Sequence, residues 1–206
     1  MDKNKVFEIL AAMSRKMDEE KVFLTELDNA IADGDHGINM AKGFAAVTEK
    51  LPSLENQSIG AALRTVGMTL VSAVGGSSGP LYGTAFMKAG MTLGDKESVD
   101  MNDFLACMKA AIDGIMMRGR AVKGEKTMLD SMIPALEAME KANADGKTAK
   151  DILNAGVSAA REGIEFTKTI AATKGRASYI GERSIGHQDP GATSLAFLLE
   201  VIAEAL

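Results

Sequence analysis

Apolar residues in this chain recur every three or four positions, and that period decides the fold class. Met101, Leu105, Met108, Ile112 and Ile115 follow one another at alternating steps of four and three, and Ile152, Gly156, Ala159, Gly163 and Phe166 repeat the stripe. Such steps line up side chains along one face of an α-helix, whereas a strand requires a period of two. No alternating run of Val, Ile and Thr bounded by turn pairs is present. Fourteen Met and many Ala favour helix over sheet as well. The pattern predicts an all-α protein of about eight amphipathic helices, over 3–27, 36–50, 58–75, 79–92, 101–118, 129–144, 148–166 and 190–206. Asp100 and Thr148 read as N-caps, with Asp151 completing a capping box after Thr148. The stretch 192–206 is apolar on more than one face, as in a helix surrounded by others.

Composition narrows the function classes. A chain of 206 residues fits one domain, 1–206, and buries roughly 70% of its unfolded surface without a disulfide or metal staple. Cys107 is the single cysteine and lies in an apolar run, where an inert core thiol is expected, in keeping with a reducing cytoplasm. No stretch of eighteen apolar residues occurs and the N-terminus is mixed, so neither a spanning helix nor a secretory signal is expected, and no membrane partner. A net charge of −5, no Trp and only two Tyr argue against a nucleic-acid partner, which requires a basic face or a stacking platform.

Four glycine-rich breaks, at 33–37, 75–83, 119–124 and 175–191, interrupt the helices. The last is seventeen residues long, beyond what a bundle needs for a turn, and its mix of aromatic, aliphatic and ionic residues is unlike a linker.

In the first break Asp28, Asp33 and Asp35 stand at steps of five and two, followed by His36. On a continuous helix Asp33 would point away from the other two. With the helix ending near Asp28 and the backbone bent at Gly34 and Gly37, all three carboxylates can converge. Converging carboxylates repel unless a hard cation joins them, and Mg²⁺ takes such oxygen ligands and completes its shell with phosphates. The next helix begins after Gly37 and turns its free N–H groups to the same loop. A plainer alternative is an acidic cluster capping that helix.

The break Gly75-Gly76-Ser77-Ser78-Gly79-Pro80 offers backbone approach, two hydroxyls and a helix start, which fits an anion or a simple turn. Gly119 to Gly124 has the glycine spacing of a P-loop, but Glu125 follows where Lys is required and no strand precedes it. Lys123 and Lys126 read as solvated lysines. The last break supplies Arg176, Arg183, His187 and Asp189. An Arg here suits a transferring phosphate; either Arg can instead close a structural ion pair with a carboxylate such as Glu182, the reading favoured for Arg183. Asp189-Pro190-Gly191 reads as the cap and first turn of the last helix.

The run Leu27-Asp28 through Asp33-Gly34-Asp35-His36-Gly37-Ile38-Asn39-Met40 resembles the metal motif of the nucleotide-binding L subunits of dihydroxyacetone kinases. Gly75 to Thr84 and Gly175 to Gly191 resemble that family's second and last motifs, in order and over nearly the whole chain. Ala32 departs from the Gly usual before the aspartates.

The resemblance implies a barrel of eight antiparallel helices with the nucleotide, ADP or ATP, in loops at one rim. It implies that Asp28, Asp33 and Asp35 hold two Mg²⁺ ions, and that His36, Gly37, Asn39, Ser77, Ser78 and Arg176 contact phosphate and nucleotide. Gly119, Met128, Asp189, Pro190 and Gly191 would lie by base and sugar. It also implies that the triose is held on a separate K subunit, since both histidines here, His36 and His187, fall within nucleotide motifs. In the phosphotransferase-system type, ADP stays bound and a phosphohistidine protein rephosphorylates it in place. Three alternatives stand beside this: an ATP-exchanging subunit for dihydroxyacetone or another small ketose, a nucleotide sensor that binds a transcription regulator, and a metal-dependent phosphohydrolase with His36 as base.

Overall fold

A computed structural model describes all 206 residues. Its α-helices are α1 (Lys3–Glu19), α2 (Lys21–Ile31), α3 (His36–Lys50), α4 (Ile59–Ala73), α5 (Ser78–Leu93), α6 (Met101–Gly119), α7 (Leu129–Ala144), α8 (Ala149–Thr167) and α9 (Pro190–Glu204). Two 3₁₀ stretches, Leu51–Leu54 and Arg176–Ser184, complete the elements. No strand forms, and an isolated bridge joins Asp2 and Ser98. The all-α expectation holds.

Two compact units make up the chain: Met1–Asp18 with Asn39–Arg120, and Glu19–Ile38 with Ala121–Leu206.

In the first unit, α4 and α5 approach so closely that glycine is required between them. A Cβ on Gly60 would lie 2.2 Å from the Gly94 carbonyl oxygen, and one on Gly67 would lie 2.6 Å from that of Gly83. Ile59, Leu93, Val99 and Cys107 form a core cluster with Leu63 and Phe104 against it, each large side chain contributing roughly 1.5–3 kcal/mol on burial. The Cys107 thiol is buried and its pKa is pushed up to about 11, chiefly by desolvation, as an inert core thiol requires. Asp100 and Asp103 cap α6 reciprocally, with Asp103 N–H donating to Asp100 Oδ1 at 2.8 Å.

In the second unit α9 is buried on nearly every side, through Leu195, Ala196, Leu198, Leu199 and Val201 among others, as its all-round apolar sequence predicts. Gly163 lets α8 meet α7, since a Cβ there would sit 2.2 Å from the Asp130 carbonyl oxygen. Thr148 accepts the Asp151 N–H, but the returning Asp151 carboxylate meets the Thr148 hydroxyl at 2.7 Å and not its backbone.

Two expectations change. The predicted helix 3–27 is two helices parted at Glu20, which sits at φ −91°, ψ 4°. No glycine or proline marks that break, and the second helix runs on to Ile31. Phe166, the predicted end of the α8 stripe, is 42% exposed. Thr167 takes the interior position instead, because its hydroxyl donates to the Ile164 carbonyl at 2.6 Å and accepts the Asp189 N–H at 3.0 Å.

Candidate functional site

The loop between α2 and α3 brings three carboxylates together. Oxygens of Asp28, Asp33 and Asp35 all lie within 4.8 Å of one another. Asp28 is on the last turn of α2, which runs three residues beyond it to Ile31, past the end expected near Asp28. The bend comes at Gly34, at φ +72°, a conformation L side chains avoid. Gly37 brings the start of α3 onto α2: a Cβ there would lie 2.1 Å from the Lys21 carbonyl oxygen. Ala32 has φ −148°, outside the left-handed region, so an alanine in place of glycine strains nothing there.

The Asp28 carboxylate also holds the start of the next helix. Asp28 Oδ2 accepts the N–H groups of Asp35 at 2.9 Å and His36 at 3.1 Å, so the acid from α2 caps α3. Capping and cation binding, set out above as rivals, are compatible because a carboxylate has about four lone-pair sites. Opposite, Arg176 Nε lies 3.0 Å from Asp33 Oδ2. One guanidinium against three acids leaves an excess of negative charge, and the all-oxygen donor set fits a hard divalent cation such as Mg²⁺.

His36 turns inward. Its imidazole is buried, with Nε2 2.9 Å from Ser194 Oγ. Desolvation lowers its pKa to about 4 against the opposing pull of Asp35, so the ring is neutral near pH 7.

Within the same unit Met128 adjoins the last motif: a Cβ on Gly191 would lie 3.7 Å from Met128 Cβ. Asp189 N-caps α9 through the Ala192 N–H at 2.7 Å, with Pro190 in the first turn, as predicted. Burial raises the Asp189 pKa to about 7, opposed by its Ala192 bond and by Lys126. Arg183 is exposed and makes no ion pair. That corrects the expected structural pair, since adjacent residues such as Glu182 seldom present their side chains to one another.

Asn39, Ser77, Ser78 and Gly119 belong to the first unit. Asn39 lies against the second motif, where a Cβ on Gly75 would meet its Oδ1 at 2.8 Å. Gly76 has φ +64°, and Ser77 and Ser78 stand at the start of α5, with Ser77 leaving its side chain out of any cap. Gly119 closes α6 before Arg120 at φ 48°, so helix and not strand precedes the P-loop-like glycines. Lys123 pairs with Glu137 at 3.5 Å on the surface, but Lys126 is buried, against the expectation of a solvated lysine. A lysine in a glycine-rich polar loop gives no sequence sign of burial.

These features define an all-helical protein with an oxygen-rich carboxylate cluster at a helix start and a glycine-serine turn opening another helix. The chain belongs to the DAK2 domain family, which matches residues 30–204. It is 44% identical over 186 residues, 90% of this chain and 89% of the relative, to the protein of Escherichia coli K12 named PEP-dependent dihydroxyacetone kinase, ADP-binding subunit DhaL. It is 41% identical over 203 residues, 98% of this chain and 96% of the relative, to the Listeria innocua subunit named PEP-dependent dihydroxyacetone kinase 1, ADP-binding subunit DhaL. The fold is like that of the dihydroxyacetone kinase of C. freundii solved with AMP-PNP and Mg²⁺, with a TM-score of 0.77 and 24% identity. That match covers all of this chain and 34% of the longer one.

Proposed function

We propose that this chain is the nucleotide-binding subunit of a dihydroxyacetone kinase, a phosphotransferase that acts as one functional domain over 1–206. The convergence of Asp28, Asp33 and Asp35 within 4.8 Å carries the proposal, and the relatives' names support ADP as the nucleotide. Asp28, Asp33 and Asp35 hold Mg²⁺, two ions in the full reading. Bound there, the metal neutralises charge on phosphoryl oxygens as transfer proceeds.

Arg176 leaves Asp33 to meet the transferring phosphoryl group, where a guanidinium stabilises equatorial charge. Ser77, Ser78, Asn39 and Gly37 hold the phosphates through hydroxyls, an amide and helix-start N–H groups. His36 supports this from behind, its N–H on Asp28 and its ring on Ser194. Met128, Gly119 and Asp189-Pro190-Gly191 face base and sugar, with the helices closed as a barrel and the nucleotide at its rim. The triose sits on a partner K subunit, and a phosphohistidine protein restores the phosphoryl group to ADP. The work is cytoplasmic, and a transcription regulator is a further partner to test.

The phosphohydrolase alternative requires a base for water, and a buried imidazole with a pKa near 4 is a poor one at neutral pH.

The test is the nucleotide and Mg²⁺ content of purified, extensively dialysed protein, with and without chelator. Near-stoichiometric ADP that leaves with the chelator supports a permanently bound nucleotide and a phosphohistidine donor. An empty protein that binds ATP reversibly supports the ATP-exchanging form. Failure to bind any adenine nucleotide with Mg²⁺ present overturns the proposal. Transfer that needs a second protein, with negligible phosphate release alone, separates kinase from hydrolase.

A further inference from the structure

A lysine in a protein interior usually answers a carboxylate, and Lys126 does not. It is 1% exposed, holds φ +60° and takes part in no ion pair. Its ammonium donates to the carbonyl oxygens of Thr167 and His187, with the Ile170 carbonyl oxygen at 3.5 Å. Thr167 is the last residue of α8, where helix carbonyls lack partners and the dipole favours a cation. Asp130, fully buried, accepts the N–H groups of Gly124 at 2.5 Å and Thr127 at 2.8 Å. One carboxylate thus closes the loop that carries Lys126 and keeps it in a backbone conformation a side chain seldom adopts.

Two short chain paths leave this ammonium. From His187 the chain reaches Asp189 in two residues, and the Asp189 N–H is held by Thr167 Oγ1 at 3.0 Å. From Lys126 itself the chain reaches Met128 in two residues, and a Cβ on Gly191 would touch Met128 at 3.7 Å. The end of α8 is therefore a common anchor for both sides of the contact between Met128 and the 189–191 turn.

We propose that Lys126 is the positioning residue of the nucleotide's base pocket, fixing Met128 against Asp189-Pro190-Gly191 through the carbonyls it binds while touching no ligand itself. This rests on the nucleotide assignment above. Burial lowers the affinity of Lys126 for its proton, opposed by Asp189 and Asp130, and the carbonyl oxygens of Thr167, Ile170 and His187 around the ammonium favour its charged form. A neutral side chain of the same length leaves the carbonyls of Thr167 and His187 without a donor and frees the turn. The carboxylate cluster and the glycine-serine turn contain none of these anchoring groups, so loss of the anchor acts on the base end of the nucleotide.

The experiment is calorimetric titration of the full chain, wild type, Lys126→Met and Lys126→Gln, with Mg²⁺·ADP and with Mg²⁺·pyrophosphate. Lys126→Met weakens ADP at least about tenfold, the usual scale for loss of a supporting partner, and leaves pyrophosphate within about twofold. Lys126→Gln, which keeps two N–H donors, falls between. ADP affinity within twofold of wild type in folded Lys126→Met overturns the inference, as does equal weakening of both ligands, which marks a general structural role. Failure of both variants to fold overturns it too, since a residue needed by the whole fold is not specific to a pocket. A wild-type chain that binds no ADP fails one stage earlier: it overturns the nucleotide assignment and the inference built on it.

Discussion

Arg176 and Asp33 are joined, Nε to Oδ2 at 3.0 Å, although their side chains are 62% and 37% exposed. An exposed pair of this kind adds about 0–1 kcal/mol to stability, so stability alone does not account for its place at the carboxylate cluster. Arg176→Ala is expected to shift the urea midpoint little and to lower phosphoryl transfer by about 10²–10³, the usual loss for one electrostatic stabiliser of a transition state. Reconstituted transfer assays set beside denaturation curves test this. Transfer within a few-fold of wild type would remove Arg176 from the mechanism.

The capping role of Asp28 can be separated from its proposed role as a cation ligand. Asp28→Asn keeps an acceptor oxygen for the Asp35 and His36 N–H groups and loses the charge that a cation needs. Asp28→Ala loses both. Asp28→Asn should melt within a few degrees of wild type without Mg²⁺ yet gain no stability when Mg²⁺·ADP is added. Asp28→Ala should lose about 1–2 kcal/mol in either condition, the scale of a lost cap. Equal Mg²⁺·ADP stabilisation of Asp28→Asn and wild type would show that the carboxylate charge is not used.

Asp33→Ala removes a proposed cation ligand and the partner of Arg176 while leaving the capping of α3 intact. Transfer should be abolished with helicity by circular dichroism unchanged. Retained transfer would break the link between the cluster and the chemistry.

How far the sequence discloses this protein depends on what each residue signals locally. The three-four period of α6 and the all-round apolar character of α9 identify helices because burial follows the period directly. Asp28, Asp33 and Asp35 are recognisable because glycines at 34 and 37 announce a bend. The division at Glu20 is silent, since a helix can be parted at an ordinary polar residue when packing asks for it. Lys126 is silent for a related reason. Its burial is bought by three carbonyls distant in sequence, and nothing near it forecasts them. His36 announces a site but not its direction: only the structure turns its ring to Ser194.

Gly37 carries a steric requirement that no side chain meets. An added Cβ would lie 2.1 Å from the Lys21 carbonyl oxygen and 2.8 Å from the Thr25 nitrogen, both backbone atoms that move only with α2. Gly37→Ala is expected to lower stability by about 1–3 kcal/mol, the range for overpacking, and to weaken Mg²⁺·ADP because the start of α3 is displaced from Asp28. Gly146→Ala serves as the control: its φ is +69° but nothing lies within 4 Å of the added Cβ, so it should cost stability while leaving Mg²⁺·ADP affinity within about threefold, as for a site built by other residues. Unchanged affinity in Gly37→Ala would mean the approach of α3 to α2 does not set the cluster.

Asp189 gives the chain a pH dependence of definite sign. Its pKa in the folded protein is about 7 against an ordinary 3.8, raised by burial. The folded state therefore holds the proton more tightly than the unfolded state. The resulting stability is full below about pH 4 and is lost as pH rises through about 7. Asp189→Asn keeps an acceptor for the Ala192 N–H, since Asn is a good N-cap, and has no proton to lose. Between pH 5 and 8 the stability of wild type relative to Asp189→Asn should fall by about 3 kcal/mol, as an order of magnitude from about two units of the shift within that interval. Urea denaturation of both proteins at the two pH values, without nucleotide, measures the difference. A gap that stays constant or widens in favour of wild type as pH rises would mean that Asp189 is ionised throughout, held so by Lys126 and the start of α9.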